Sequence, residues 1–293
     1  MAIELVAGGA TAVILPEWGG RLHQLSVPFA GGAEPLLVAP ADPSSYARRP
    51  DFGGSFPMAP WPNRIRAGRF PWAGREVVVE GGLGGEHAPH GTVLTERWQV
   101  IARTTRVCEL TCDLGPGWPW EGHAWQRYEL TGDSLRMKLE VRSAREAFPA
   151  GCGWHPWFRR QVAGAADLRL RLRASRRYLL RDHLPTGESV PPAGDFDLHD
   201  ALIGGRELDD CYAGIEGPIE LDWGRIALSI TVGAAFPHVT VYATPEALCV
   251  EPQSCAPDAF NLAAAGAFDD GTAIARPGAA AAIESAWSWH VRP

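Results

Sequence analysis

Apolar and polar residues alternate with a period of two along much of this 293-residue chain. The clearest segments are 135–141, 168–174 and 226–232, where an apolar residue occupies every second position. This pattern is typical of a β-strand with one face on a core, because successive side chains of a strand point to opposite sides. A helix of 3.6 residues per turn would scatter the same apolar residues around its surface. Each segment therefore predicts a strand.

Further strand-like runs lie at 76–80 and 92–101, and residues 239–251 predict a hairpin whose turn contains Pro245. The Ala-rich stretches 262–267 and 279–283 are compatible with a short helix. The 33 glycines and 25 prolines leave little room for long helices. Many short strands between Gly and Pro turns predict an all-β fold, a sandwich or a barrel. Since neither a linker nor an internal repeat divides the sequence, we expect residues 1–293 to form a single domain.

Composition excludes several classes of function. The net charge of -7 argues against nucleic-acid binding, which depends on neutralising phosphates. Apolar runs of about 18 residues are missing, and residues 1–15 have no basic segment before their apolar run, so we expect neither a membrane span nor a signal peptide. The six cysteines show neither CxxC pairs nor zinc-ligand spacing. We therefore expect buried, reduced thiols, no bound metal and a cytoplasmic location.

Twelve tryptophans are many for a chain of this length, and several cluster in Pro-rich segments. A flat apolar ring with one donor suits the C–H faces and hydroxyl edges of a sugar. The alternative is that most of these rings fill the space between two sheets, since tryptophan is usually well buried. Both interpretations are compatible with the sequence alone.

Four segments combine turn residues with polar side chains that a hydroxyl-rich ligand requires. They are 57–70, 87–91, 151–158 and 249–261. In the last two, His155 and Glu251 each stand directly before a proline, which restricts the preceding residue to an extended conformation. Proline also lacks the donor that a sheet ladder needs, so both side chains are expected near strand ends. A fixed imidazole and a fixed carboxylate form a candidate pair of general acid and general base.

Taken in order, five motifs resemble the aldose 1-epimerase (galactose mutarotase) family. They are PWPNRI followed by Gly-Arg-Phe, HG before a strand, GWPW, GxHPWF and EPQSxxPDAFN. The resemblance spans roughly residues 15 to 290, nearly the whole chain. It implies a large antiparallel β-sandwich, in agreement with the alternation. The sequence departs from the family pattern at Trp157, where tyrosine is common.

The resemblance also implies roles for individual residues. Glu251, before Pro-Gln, corresponds to the family's general base, and His155 of the His-Pro-aromatic motif corresponds to its general acid. His90 of the His-Gly pair and Arg64 of the Asn-Arg-Ile motif correspond to residues that contact the sugar. Asp209 corresponds to a further sugar-binding aspartate, although the adjacent Asp210 fits nearly as well.

The implied reaction interconverts the α and β anomers of a free aldose by opening and closing the ring. It needs no cofactor, because it involves neither net redox change nor group transfer. We expect Glu251 to be ionised at neutral pH, given the ordinary pKa of about 4.3 for glutamate. We expect the nearby carboxylate to keep His155 protonated. The expected partner is a monosaccharide, and the protein is expected to be a monomer or a homodimer.

Three other functions remain open at the level of sequence. A hexose-6-phosphate 1-epimerase would use the same acid and base and would bind the phosphate through arginines such as Arg66, Arg159 and Arg160. A noncatalytic carbohydrate-binding protein would keep the pocket without the chemistry. A glycoside hydrolase would need two opposed carboxylates, and only Asp209 is a candidate partner for Glu251.

Overall fold

The structure, a computed structural model, describes residues 1–235, 237–267 and 269–292. Within these ranges almost all regular structure is β-strand, with one α-helix, α1 (Ala259–Ala264). Four 3-10 turns lie at Pro43–Ala47, Arg66–Gly68, Val93–Thr95 and Gly194–Phe196. A search of the described helices for one long and apolar enough to cross a bilayer finds none. The all-β prediction with few short helices is thus confirmed.

The strands are numbered in chain order. They are β1 (Ile3–Ala7), β2 (Ala10–Leu15), β3 (Arg21–Phe29), β4 (Gly32–Pro35), β5 (Ser55–Met58), β6 (Arg64–Ile65), β7 (Arg69–Trp72), β8 (Arg75–Val78), β9 (Ala88–Pro89), β10 (Gln99–Arg103), β11 (Val107–Asp113), β12 (Gly122–Leu130), β13 (Ser134–Ser143), β14 (Phe148–Ala150), β15 (Gly153–Arg159), β16 (Arg169–Arg171), β17 (Ala174–Arg181), β18 (Leu184–Val190), β19 (Ala201–Leu202), β20 (Asp209–Ile215), β21 (Ile219–Asp222), β22 (Ile226–Gly233), β23 (His238–Ala243), β24 (Ala247–Gln253), β25 (Ala273–Ala275) and β26 (Ala281–Val291).

Two large antiparallel sheets account for most of these strands. In the described residues the larger sheet has eleven strands in the order β1-β2-β3-β5-β15-β24-β23-β20-β17-β18, with β4 paired to β3. The other has nine, in the order β10-β11-β12-β13-β26-β22-β21-β16-β19. One continuous hydrophobic core takes side chains from both sheets. The rings of Phe158 in β15 and Trp287 in β26, for example, lie 5.0 Å apart across the interface. This arrangement is the β-sandwich that the resemblance implied.

The alternation identifies most strands correctly, and β13 buries Leu135, Met137, Leu139 and Val141 as expected. The segment 168–174 is different, because it divides between β16 in the nine-stranded sheet and β17 in the eleven-stranded sheet. The chain crosses between the layers there, which a period of two does not reveal. The run 92–101 also divides, into the 3-10 turn Val93–Thr95 and β10.

The two Ala-rich stretches have different structures. The first overlaps the end of α1, and the second enters β26, the long strand that pairs with both β13 and β22. Alanine is small enough for either environment, so neighbouring strands decide the outcome.

The centre of the eleven-stranded sheet is covered on both faces. Every residue of β5 and β24 is buried, and so are residues 153–158 of β15. One face packs on the core between the sheets. Over the other face lie two loops, 59–65 and 88–92, which are joined by the pairing of β6 with β9 and by a bridge between Ala59 and Gly91. Polar residues on that covered face are therefore removed from bulk water.

Candidate active site

Strand register brings His155 and Glu251 together. Strands β15 and β24 pair Gly153 with Gln253 and Trp157 with Cys249, so the position of residue 155 faces that of residue 251. Side chains directly opposite in an antiparallel pair are close neighbours. The distance from His155 Nε2 to Glu251 Oε1 is 3.3 Å, and both side chains are at least nine-tenths buried. Two residues separated by 96 positions in sequence thus share one contact.

The two prolines act on the backbone as the sequence indicated, although the strands do not end at them. Pro156 and Pro252 lie within β15 and β24, and the ladder between these strands is interrupted beside them. His155 is the third residue of β15 and Glu251 is the third from the end of β24. Because the strands are antiparallel, both lie at the same end of the sheet.

Aromatic rings hold the imidazole of His155 in place. It stacks on Phe56, with ring centroids 4.8 Å apart, and on Trp157, at 5.3 Å and an interplanar angle of 13°. The ring of His90 stands nearly perpendicular to it at 5.3 Å. These ring contacts restrain the imidazole, whose Nε2 faces Glu251. This is a preorganised arrangement for proton transfer.

The covering loops carry the other two residues of the predicted site on this side. Arg64 is in β6, and its Nη1 donates to Asn63 Oδ1 at 3.4 Å. His90 has a positive φ of 60°, and its backbone N–H donates to the Asn63 carbonyl at 2.6 Å. Within the described ranges, Arg64 has no carboxylate within ion-pair distance. A guanidinium without a carboxylate partner, above His155 and Glu251, is suited to paired sugar hydroxyls.

Asp209 and Asp210 point to opposite faces of β20. Asp209 shares its face with the position of Glu251, and its Oδ2 lies 2.7 Å from His183 Nδ1. Asp210 points toward the core, where Oδ1 accepts from Arg177 Nη1 at 2.6 Å. Only Asp209 therefore lies on the face of the candidate site, which resolves the ambiguity between the two neighbours in its favour.

The candidate site contains three further polar residues that the sequence did not single out: Gln253, Thr240 and His183. Gln253 Nε2 donates to Glu251 Oε2 at 3.0 Å and to Thr240 Oγ1 at 3.1 Å. Thr240 lies opposite Glu251 on β23, and His183 bonds Asp209 from the β17–β18 turn. Gln253 was within the EPQS motif, so its sequence signal was present. Thr240 and His183 had none, because only strand register brings them to the site.

Burial changes the expected charges of the central pair. Burial raises the pKa of Glu251 well above its ordinary value, and the negative charge of Asp209 adds a smaller effect in the same direction. The hydrogen bond from Gln253 and the charge of Arg64 oppose this rise in the pKa. Burial lowers the pKa of His155 well below its ordinary value, and the neighbouring His90 adds a smaller effect in the same direction. The predictions of an ionised Glu251 and a readily protonated His155 are therefore wrong in direction. They neglected desolvation, which penalises each charged form.

These pKa shifts imply that His155 and Glu251 share one titrating proton. Both favour the uncharged forms, a carboxylic acid and a neutral imidazole, which together carry a single titrating proton. General acid–base chemistry likewise needs one group protonated and the other free. His90 is held neutral too, because burial and Arg64 lower its pKa to about 3.

The arginines considered for phosphate binding are mostly engaged elsewhere. Arg66 Nε lies 3.2 Å from Asp258 Oδ2, and Arg160 Nη2 lies 2.6 Å from Asp167 Oδ2. Arg159 is four residues beyond His155 along β15, about 13 Å away at the rise of a strand. Two of the three charges are therefore neutralised, and the third is remote.

Most of the tryptophans lie in the hydrophobic core. Nine of the twelve rings are buried, and of these only Trp157 contacts His155. Trp154, three residues before Trp157, points into the space between the sheets. The interpretation of most tryptophans as core residues is supported, and of the buried tryptophans only Trp157 lies beside His155 and Glu251.

Comparison with known proteins identifies the family. The family model for aldose 1-epimerase matches residues 1–278. The protein YphB of Escherichia coli (strain K12), described as uncharacterized, is 26% identical in an alignment 274 residues long that covers 88% of this chain and 90% of YphB. A galactose mutarotase-like protein from Clostridium acetobutylicum has a TM-score of 0.87 at 17% identity, covering 99% of this chain and 95% of that one.

A second solved structure agrees. The galactose 1-epimerase from Lactobacillus acidophilus NCFM has a TM-score of 0.81 at 19% identity, covering 100% of this chain and 95% of that one. At such identities the structural likeness establishes the fold. Membership follows from the family model, which covers far more than half of the sequence and includes all five motifs. The chain belongs to the aldose 1-epimerase family.

Proposed function

We propose that this protein interconverts the α and β anomers of a free aldose. The observation that carries the proposal is the 3.3 Å contact between His155 Nε2 and Glu251 Oε1 in a buried setting. Around this contact lie an unpaired guanidinium, Arg64, and a partly exposed carboxylate, Asp209, both suited to hydroxyl groups. Membership of the family supports the same reaction class.

The proposed reaction moves two protons in opposite directions. Glu251, as a carboxylate, takes the proton of the anomeric hydroxyl, while His155, as imidazolium, gives a proton to the ring oxygen. The C1–O5 bond breaks and its electron pair stays on O5, which leaves a C1 aldehyde. Rotation about the C1–C2 bond presents the other carbonyl face, and reversal of both transfers closes the ring. The single proton shared by the resting pair is sufficient for this cycle.

The surrounding residues bind and orient the sugar in this scheme. Arg64 donates to adjacent hydroxyls, and Asp209 accepts from another. His90, neutral and perpendicular to His155, donates or accepts one hydrogen bond without adding charge. The arginine placements favour a free sugar over a sugar phosphate, since Arg66 and Arg160 are already paired with carboxylates.

The first test removes each member of the pair. Glu251→Gln and His155→Ala are each expected to lower the mutarotation rate at least about 10²-fold, the usual contribution of a positioned acid or base. Polarimetry on freshly dissolved α-galactose, α-glucose and xylose measures the rate. The matched controls are Glu246→Gln and His199→Ala, which change exposed residues outside the site and should leave the rate unchanged.

The outcomes distinguish the remaining functions. Near-wild-type rates in either site variant would remove the assigned pair. Sugar binding without any acceleration over buffer, in the wild type and in Glu251→Gln alike, would identify a carbohydrate-binding protein instead. Faster turnover of glucose 6-phosphate than of any free sugar would identify a hexose-6-phosphate 1-epimerase.

A further inference from the structure

Gln253 is a buried polar residue beside the candidate pair. It is fully buried and lies two residues after Glu251, on the same face of β24. The residue opposite it on β15 is Gly153. A Cβ atom at Gly153 would lie 2.5 Å from the Pro252 carbonyl oxygen and 3.1 Å from Gln253 Cγ. The glycine is therefore required mainly by the close approach of the Pro252 carbonyl, and the stem of Gln253 packs directly against it.

Both hydrogens of the Gln253 amide are used. One is donated to Glu251 Oε2 at 3.0 Å and the other to Thr240 Oγ1 at 3.1 Å. Thr240 Oγ1 also faces Asn63 Nδ2, at 3.4 Å, which favours the hydroxyl oxygen as acceptor from both amides. When Glu251 is ionised, rotating the Gln253 amide by 180° would place its carbonyl oxygen against a carboxylate oxygen of Glu251. The N–H side of the amide therefore faces Glu251 in its ionised form, which is the form that this donor stabilises.

The carboxyl group of Glu251 is divided between two partners. Its Oε2 accepts from Gln253, and its Oε1 is left to face His155 Nε2 at 3.3 Å. We propose that Gln253 is a positioning residue, which holds the carboxyl group of Glu251 with Oε1 toward the reacting atoms and stabilises its ionised form. This inference rests on the proposed function, in which Glu251 is the general base.

Other charged or titratable groups also act on Glu251. His155 lies on the adjacent strand β15, Asp209 on β20, which is two strands away, and Arg64 on a covering loop. The buried thiols of Cys211 and Cys249 interact with it as well. Asp209 and burial oppose ionisation, whereas Arg64 and Gln253 favour it. Gln253 differs from Arg64 in that it donates a hydrogen bond directly to the carboxyl group.

A second buried glutamine provides the matched control. Gln126 in β12 is also fully buried, and its Nε2 donates to the Gly20 carbonyl at 2.7 Å, away from the candidate site. In both glutamines the carbonyl oxygen lacks a hydrogen-bond partner within the described part of the chain. Replacing either glutamine by methionine removes the amide group and leaves an apolar side chain of similar length. Only Gln253→Met should change the chemistry of Glu251.

The kinetic experiment compares Gln253→Met with Gln126→Met. A hydrogen bond to a carboxylate favours its charged form, so losing it raises the pKa of Glu251 and makes the carboxyl protonate at higher pH. We expect the acid limb of the kcat profile to move up by about one to two pH units and kcat to fall about tenfold or more, with KM within about twofold. Gln126→Met should change stability alone.

A measurement without substrate separates this inference from the proposed function. The titration of the ¹³C-labelled Glu251 carboxyl, assigned by comparison with Glu251→Gln, gives its pKa by NMR in the wild type and in Gln253→Met. An upward shift supports the positioning role even in a protein without mutarotase activity. An unchanged pKa in folded Gln253→Met overturns it, whatever the activity.

A milder variant covers the case in which Gln253→Met does not fold. Thr240→Val keeps the shape of residue 240 and removes the hydroxyl that accepts from the amides of Gln253 and Asn63. We expect a smaller upward shift in the pKa of Glu251, by less than about one unit, because the amide is then less firmly oriented. A downward shift or none would contradict the role given to Gln253.

Discussion

Asp209 and Asp210 show how one position in a strand decides the role of a side chain. Asp209 faces the candidate site and is bonded by His183, whereas Asp210 faces the core and is paired with Arg177. The two carboxylates are chemically identical, but a strand turns successive side chains to opposite faces. Asp209 also raises the pKa of Glu251, so its charge acts on the proposed base as well as on a sugar.

Neutralising Asp209 should therefore move the pH profile in a defined direction. In Asp209→Asn the charge that raises the pKa of Glu251 is gone, so Glu251 stays ionised to lower pH. We expect the acid limb of kcat/KM to shift toward lower pH and KM for the sugar to rise, as measured by polarimetry between about pH 4 and pH 8.

The neighbouring substitution is the control. Asp210→Asn should leave the acid limb in place and reduce the free energy of unfolding by about 3 kcal/mol, because Arg177 loses its buried partner. An equal shift of the acid limb in both variants would mean that the effect is not specific to the face of Glu251.

At the scale of elements, the covering loops are held by close backbone contacts. Gly91, next to His90, has a positive φ of 74°, and a Cβ atom there would lie 2.0 Å from the Ala59 carbonyl oxygen. The N–H of Thr92 donates to the same carbonyl at 2.8 Å. Arg21 ties a third loop, since its guanidinium donates to the carbonyls of Pro50 and Gly53. The loops over His155 and Glu251 are thus held in place by backbone contacts.

Gly91→Ala is expected to disturb this arrangement. The added methyl must displace the loop that carries His90, so we expect the free energy of unfolding to fall by about 3 kcal/mol or more and the mutarotation rate to fall with it. Gly74→Ala has a similar φ of 77° but meets no atom within 4 Å. It should cost only about 1–2 kcal/mol and leave the rate unchanged. Chemical denaturation compares the two, and equal losses would refute the close contact as the cause.

At the scale of the whole molecule, two sheets share one hydrophobic core, and only one of them carries the candidate site. The eleven-stranded sheet carries the candidate site on its covered face, and the nine-stranded sheet supports it from behind. Phe158, one residue after Trp157, packs on Trp287 of the opposite sheet. Location in the cytoplasm, a single domain over 1–293 and a monomeric or homodimeric state stay predictions from the sequence.

The contact between the sheets predicts a large loss of stability on truncation. Trp287→Ala should reduce the free energy of unfolding by about 3–5 kcal/mol, the usual cost of removing a fully buried large ring. Trp125→Ala is the control, because this half-buried ring lies on the outer face of β12 near the guanidinium of Arg142, at 4.9 Å. It should cost about 1 kcal/mol or less. Similar losses in denaturant titrations would show that Trp287 does not join the sheets.

By itself the sequence determined the fold class and most members of the site. Alternation is a local property of the strand, so β13, β22 and the β23–β24 hairpin were predictable. His155 and Glu251 were recognisable from their motifs, as were Arg64 and His90. Tertiary structure decided what depends on register and burial: the choice of Asp209 over Asp210, the parts of Thr240 and His183, the splitting of 168–174 between two sheets, and the protonation of the central pair. Register and desolvation arise only when distant strands pack together, and no local pattern encodes them.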